Sequence, residues 1–278
     1  MQHENHLLKK RVTLFDGISI VAGAMIGSGI FIVSADIART VGSPGYLLVV
    51  WIITGLLTVI AAASYGELAS MMPDVGGQYV YLREAYHPLV GFLFGWTTFL
   101  VIQCGSIAAV AVAFAKFSGV LFPWISDRNV LTIAGPVKLT STMVVAIAMI
   151  VFLTWLNTLG IVRGKTVQNF FTSTKVIALF GFILIGFLAT RGLNSYEINK
   201  EVFWQAGQPG PGNQVVPLAG FALIAAIATA LVGSLFSSDA WYDVTFISGE
   251  VINPKKNVPL SLVLGTALVS VIYLLTNL

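Results

Sequence analysis

Apolar residues fall along this chain in long runs. Seven of them, at residues 14–34, 46–65, 89–115, 141–160, 169–189, 216–248 and 258–278, each come close to the length a helix needs to cross a bilayer. That length is about 20 residues for a hydrocarbon core of roughly 30 Å. The runs are apolar on nearly every face, so the alternation of a barrel strand is absent. A backbone in lipid must satisfy its own hydrogen bonds, and helices do so here. The pattern predicts an all-α membrane protein. The first run follows a short polar tail directly and lacks the short apolar core and small-residue cleavage site of a secretory leader, so it is expected to stay in the mature chain.

Two runs are interrupted. "GAMIGSGIFIV", residues 23–33, places Gly23, Gly27, Ser28 and Gly29 within seven residues of a spanning segment. Glycine costs about 1 kcal/mol relative to alanine inside a helix, but it lets the backbone leave helical geometry. An unwound stretch exposes N–H groups that survive at membrane depth only beside a cavity or a ligand. The N-terminal end of the following half-helix is also a ready site for a carboxylate. The alternative is close packing, since Gly23 and Gly27 form G-x-x-x-G.

The sixth run carries "SLFSSDAWYDV", with Ser237, Ser238, Asp239 and Asp243 amid apolar sequence. An aspartate at the bilayer centre costs about 2.5–3.5 kcal/mol on insertion scales. Asp239 and Asp243 at i and i+4 share one face of a helix, where they would bind an ammonium, a cation or a proton. The alternative is that the span ends near Phe236 and these groups meet water. Phe236 and Trp241 are then walls or lids over a small ligand, or packing aromatics. Two interrupted spans in corresponding places point to a site between inverted repeats. Lys175 stands out in the fifth run. It lies ten residues past Lys165, about 15 Å along a helix. It reads as a fixed cation, a proton carrier, or a residue at the rim of a displaced span.

Composition agrees. The chain has 278 residues, 56% hydrophobic and 10% charged, against about 25% charged in soluble domains. A net charge of +3 spread over loops leaves no nucleic-acid footprint. Cys104 is the only cysteine, so neither an internal disulfide nor a thiolate cluster can form. The loops carry no nucleophile–base pair, catalytic carboxylate pair or metal-ligand spacing. A non-enzyme with no metal and no cofactor is expected. With a cytoplasmic N-terminus, eight Lys and Arg fall inside and six outside, the inside ones clustered at span ends. Residues 71–88 suit an interfacial helix, and residues 194–214 read as a polar external loop rich in Gly and Pro. The seventh run reaches Leu278 with no polar tail, which reads as a fragment.

Four segments together resemble the amino acid–polyamine–organocation superfamily, and within it the L-type amino acid transporters. They are "GAMIGSGIF", "GSPGYLLVVWIITG" with "SYGEL" and "GGQYVYLREAY", "VQNFFTSTKVIAL", and "LFSSDAWYDVTFISGEVINPKKNVPLSL". The resemblance covers the first seven of about twelve spans and implies a fold of inverted five-helix repeats with helices 1 and 6 broken, the first repeat over about residues 14–190 and the second incomplete in this chain. It implies an amino acid transporter of the plasma membrane working by alternating access, with protons or an exchanged amino acid as coupling partner. The substrate carboxylate would sit at Gly27, Ser28 and Gly29, and the amine at Phe236, Ser237 and Asp239, with Phe236 as gate. Lys175 would tie span 5 to the unwound part of span 1, and Trp241 and Asp243 would serve gating or coupling. Relatives that join a glycoprotein do so through a cysteine after span 3. Residues 116–138 have none, which implies no disulfide-linked heavy chain. Ser238-Asp239-Ala240-Trp241 departs from the glycine-rich pattern of many relatives, and a side-chain carboxylate there would suit a polyamine or amine carrier; a truncated chain would suit an amino acid sensor that does not transport.

Overall fold

The computed structural model describes residues 10–27, 29–134, 137–159, 161–189, 195–209 and 215–278. Helices dominate. Among the described residues, six are long and apolar enough to cross a membrane, or seven if the bent pair at the start counts as one span. The chain is a multi-pass membrane protein. It divides into two compact units, residues 1–78 with 167–278, and residues 79–166.

In the larger unit, α1 (Leu14–Met25) starts at a capping box. Thr13 Oγ1 accepts from the Asp16 N–H at 3.3 Å, and an Asp16 carboxylate oxygen accepts from the Thr13 N–H at 2.9 Å. α2 (Gly29–Val41) runs past the predicted end at Ser34. Hydropathy falls there, but the helix continues through the Asp36–Arg39 pair (2.9 Å) and the Thr40 hydroxyl bond to Asp36 O (2.8 Å). It stops at Gly42, whose φ of +58° and N–H bond to Ala38 O (2.8 Å) close the last turn. α3 (Pro44–Met71) follows, capped by Ser43 with proline at its first turn. α11 (Pro254–Thr276) packs on both α1 and α3. Small residues permit the approach: a Cβ on Gly265 would lie 2.6 Å from Val21 Cγ1, so α1 and α11 meet there only because the side chain is absent.

α8 (Ile161–Ala189) begins earlier than the predicted 169. The stretch expected to be a loop at 194–214 contains α9 (Ser195–Val202) and a strand β3 (Gly207–Pro209), which pairs antiparallel with β4 (Val215–Pro217). The predicted start of span 6 at Val216 therefore falls in a strand, and α10 (Phe221–Ser237) begins only after Gly220 at φ +55°. Turn-forming Gly and Pro mark chain reversal without saying whether the arms pair. After α10 comes a tight 3-10 segment, Trp241–Glu250, whose Ile247 lies outside helical geometry. The N-terminal strand-like residues close onto its end: Arg11 and Val12 N–H donate to Glu250 O at 2.9 and 3.0 Å, and Ile252 N–H donates to Val12 O at 2.9 Å.

The smaller unit contains α4 (Gln78–Ala85), a helix where an interfacial one was expected, then α5 (Pro88–Thr97), a π-helical turn at Thr98–Gln103 and α6 (Cys104–Leu121). A hairpin, β1 (Val130–Ala134) with β2 (Val137–Thr140), leads into α7 (Ser141–Thr158). Ala111, Ala115, Ile125 and Ala146 form the core between α6 and α7.

Candidate functional site

The first interruption separates α1 from α2. α1 ends at Met25, Ile26 leaves helical geometry at φ −75°, ψ 89°, and α2 restarts at Gly29 with its axis bent by 48°. Ser28 lies outside the described residues. The second interruption is at the end of α10. Ser238 N–H closes back on Ser234 O and Leu235 O at 3.0 and 3.1 Å, and Ala240 takes a left-handed φ of 66°.

The two interruptions abut. A Cβ on Gly29 would stand 2.5 Å from Ser237 Oγ and 3.2 Å from Ser237 Cα. The N-terminal turn of α2 thus lies against the C-terminal turn of α10. The first four N–H groups of a helix and its last four carbonyls lack intrahelical partners, and the ends carry partial charges of opposite sign. Ser237 is 6% exposed, and its hydroxyl has no hydrogen-bond partner among the described residues. A buried polar atom left unpaired is uncommon and needs a reason.

α8 is stitched to α1 along one face. Asn169 Nδ2 donates to Asp16 Oδ1 at 2.8 Å and the Thr172 hydroxyl to Ser19 O at 3.2 Å. Lys175 Nζ donates to Gly23 O at 3.2 Å and Ile26 O at 2.9 Å. The spacing of three residues puts all three side chains on the α1 side of α8. The lysine thereby serves carbonyls that the end of α1 leaves open. Gly23 faces the same surface, since a Cβ there would collide with Thr172 and Gln168, whereas a Cβ on Gly27 would meet nothing within 4 Å.

Other predicted residues are placed differently. Asp239 and Asp243 do not share a helical face, because α10 ends at Ser237 and the left-handed Ala240 stands between them. Asp239 is exposed and Asp243 half-buried. Phe236 is 79% exposed, turned away from the buried Ser237 beside it. Trp241 packs edge-on against Tyr65 at 5.0 Å between ring centres.

Tyr273 was not anticipated. It is 1% exposed on α11, and its hydroxyl donates to Met25 O at 2.9 Å while lying 3.3 Å from Ser237 O. The only signal in the sequence is one phenol within the apolar "VIYLLTNL". The buried pair Thr54 and Ser234 carries no distinct signal in the sequence either, since single hydroxyls in a span look like ordinary helical glue.

The sequence profile of the amino acid permease family matches residues 12–278. The mouse b(0,+)-type amino acid transporter 1 is 32% identical over 272 residues, 97% of this chain and 50% of that protein. The human large neutral amino acids transporter small subunit 2 is 31% identical over 271 residues, 97% of this chain and 46% of that protein. The human cystine/glutamate transporter is 28% identical over 270 residues, 97% of this chain and 49% of that protein. The chain spans about half the length of the curated relatives it matches.

Proposed function

From the premise that this chain belongs to the amino acid permease family, we propose that it carries an amino acid across the membrane, gripping the substrate between its two chain breaks. One observation carries this reading: Gly29 and Ser237 abut, so the positive end of α2 and the negative end of α10 lie within the span of one zwitterion. The carboxylate would meet N–H groups at Gly27, Ser28 and Gly29. The ammonium would meet carbonyls around Phe236, Ser237 and Asp239, and the unpaired Ser237 hydroxyl gives the ligand a further partner.

Occupancy would then hold both half-helix ends at once. A ligand shifts a conformational equilibrium only by binding one state better than another. The state in which both ends close on the substrate would be favoured, and rocking of one bundle against the other would open the site to the opposite face. Lys175 would keep the end of α1 attached to α8 through the cycle, with Phe236, Trp241 and Asp243 gating or coupling. A cytoplasmic N-terminus fits the clustering of Lys and Arg, and the plasma membrane is the location that the family resemblance implies. The same reading has no disulfide-linked heavy chain, because the one cysteine, Cys104, lies within α6 and not after it. The half-buried Asp243 near Asp239 favours one alternative, a carrier for a more cationic amine.

The test is uptake of each of the twenty labelled amino acids by the full-length protein in liposomes, with and without a pH gradient or internal amino acid. Uptake of at least one is expected. Dependence on the gradient identifies proton symport, and dependence on internal amino acid identifies exchange. Uptake of diamines alone would replace the reading with the amine carrier. Saturable amino acid binding without flux would replace it with a sensor.

A further inference from the structure

We propose that Tyr273 is a positioning residue that holds the two chain breaks at a fixed spacing, so that one ligand can be gripped at both ends. This rests on the amino acid reading above. The carbonyls at the two half-helix ends differ in how well they are served. At the end of α1, the Gly23 and Ile26 carbonyls accept from Lys175, and the Met25 carbonyl accepts from Gly27 N–H at 2.9 Å and from the Tyr273 hydroxyl at 2.9 Å. At the end of α10, the Ser234 and Leu235 carbonyls accept from Ser238 N–H, and Phe236 O accepts from Asp239 N–H at 3.3 Å. For Ser237 O, the Tyr273 hydroxyl at 3.3 Å is the donor among the described residues.

A phenol has one proton to donate. It cannot serve Met25 O and Ser237 O at full strength together, and the shorter bond goes to Met25. Ser237 O is therefore the least satisfied of these carbonyls, and it neighbours the unpaired Ser237 hydroxyl. An ammonium arriving at Ser237 O would release the Tyr273 proton wholly to Met25 O. Engagement of α10 by the ligand would thus tighten the hold on α1. The ring that carries the hydroxyl is fixed, being 1% exposed and edge-on to Trp51 at 5.3 Å. Three helices meet at this oxygen, and two of them end there.

A fixed spacing matters only to a ligand that spans both subsites. That separates positioning from a general structural role. The experiment compares Tyr273→Phe with the unaltered full-length protein, using three competitors against a labelled amino acid. They are the amino acid best taken up by the unaltered protein, its decarboxylated amine and its deaminated acid. Tyr273→Phe is expected to weaken the amino acid by about tenfold and each single-ended analogue by less than about twofold. Hydrogen exchange gives a second readout. The amino acid should protect residues 23–27 and 234–240 together in the unaltered protein, and unequally in the variant. Equal weakening of all three ligands, unchanged amino acid affinity with unchanged protection, or failure of the variant to fold would each overturn the proposal. An unaltered protein that binds no amino acid would instead refute the functional reading on which it rests.

Discussion

Thr54 Oγ1 lies 2.6 Å from Ser234 Oγ, and both residues are fully buried. This joins α3 to α10 one turn before α10 stops. Each hydroxyl also reaches a carbonyl of its own helix, Thr54 to Val50 O at 2.8 Å and Ser234 to Leu231 O at 3.1 Å. With one proton each, one of them donates across and the other donates at home. A double-mutant cycle of Thr54→Val and Ser234→Ala should give a coupling near 0.6 kcal/mol and below about 1.7 kcal/mol, the range for hydrogen bonds between membrane helices. Thermal or denaturant unfolding in detergent measures it. A coupling of zero would mean each hydroxyl is satisfied by its own helix.

Lys175→Met keeps most of the stem and removes the ammonium. The Gly23 and Ile26 carbonyls then lose their donor at the place where α1 has already left helical geometry. The cost should be about 1–3 kcal/mol for buried acceptors left unpaired. The loss should be local, with hydrogen exchange at residues 23–27 rising more than exchange in α3. A uniform rise would show that Lys175 supports the whole unit and not this turn.

The neighbouring glycines should separate sharply. Gly27→Ala adds a methyl to open space and should leave unfolding within about 0.5 kcal/mol of the unaltered protein. Gly29→Ala drives a methyl into Ser237 and its backbone, and should cost about 1–3 kcal/mol through a forced shift of α2 against α10. Ser237→Gly, which removes the opposing side chain, should recover part of that loss, leaving the clash with the Ser237 backbone. The readout is the unfolding midpoint of the four proteins measured side by side.

These contrasts also mark how much was legible in the sequence. The spans were legible because a run of apolar residues is a one-dimensional signal of bilayer length. Glycine near the centre of "GAMIGSGIF" and carboxylates in "FSSDAWYD" drew attention because both conflict locally with a spanning helix. Strand pairing at Gly207–Pro209 with Val215–Pro217 was not legible, since three-residue strands have no periodicity to read. The continuation of α2 to Val41 was missed because hydropathy ends before hydrogen bonding does. Tyr273 was hidden for a different reason. Its importance lies in two carbonyls 36 and 248 residues away in sequence, and a backbone acceptor has no residue type to recognise. The reverse error occurred at Asp239 and Asp243, where an i, i+4 spacing implies a shared face only if the helix continues between them.

The start of α1 offers a charge test. Asp16 is buried and accepts from Thr13 N–H and the Thr13 hydroxyl at 2.9 Å each, and from Asn169 Nδ2 at 2.8 Å. One side chain therefore caps α1 and fastens it to α8. Asn169→Asp replaces the donor with a second carboxylate at hydrogen-bond distance, and should cost about 1–3 kcal/mol through the lost bond and the like-charge contact. Asp16→Asn alone keeps the shape and an acceptor for Thr13 or for Asn169, and should cost about 1 kcal/mol from the weakened cap. Combining them restores complementarity. The amide introduced at position 16 can accept from Thr13 N–H through its oxygen while its NH2 donates to the carboxylate introduced at position 169. The double variant should therefore be more stable than Asn169→Asp alone by at least about 1 kcal/mol, a non-additivity that only residues in direct contact produce. Additive losses would mean that the bond from Asn169 to Asp16 does not hold α8 to α1, and that Thr172 and Lys175 carry the attachment without it.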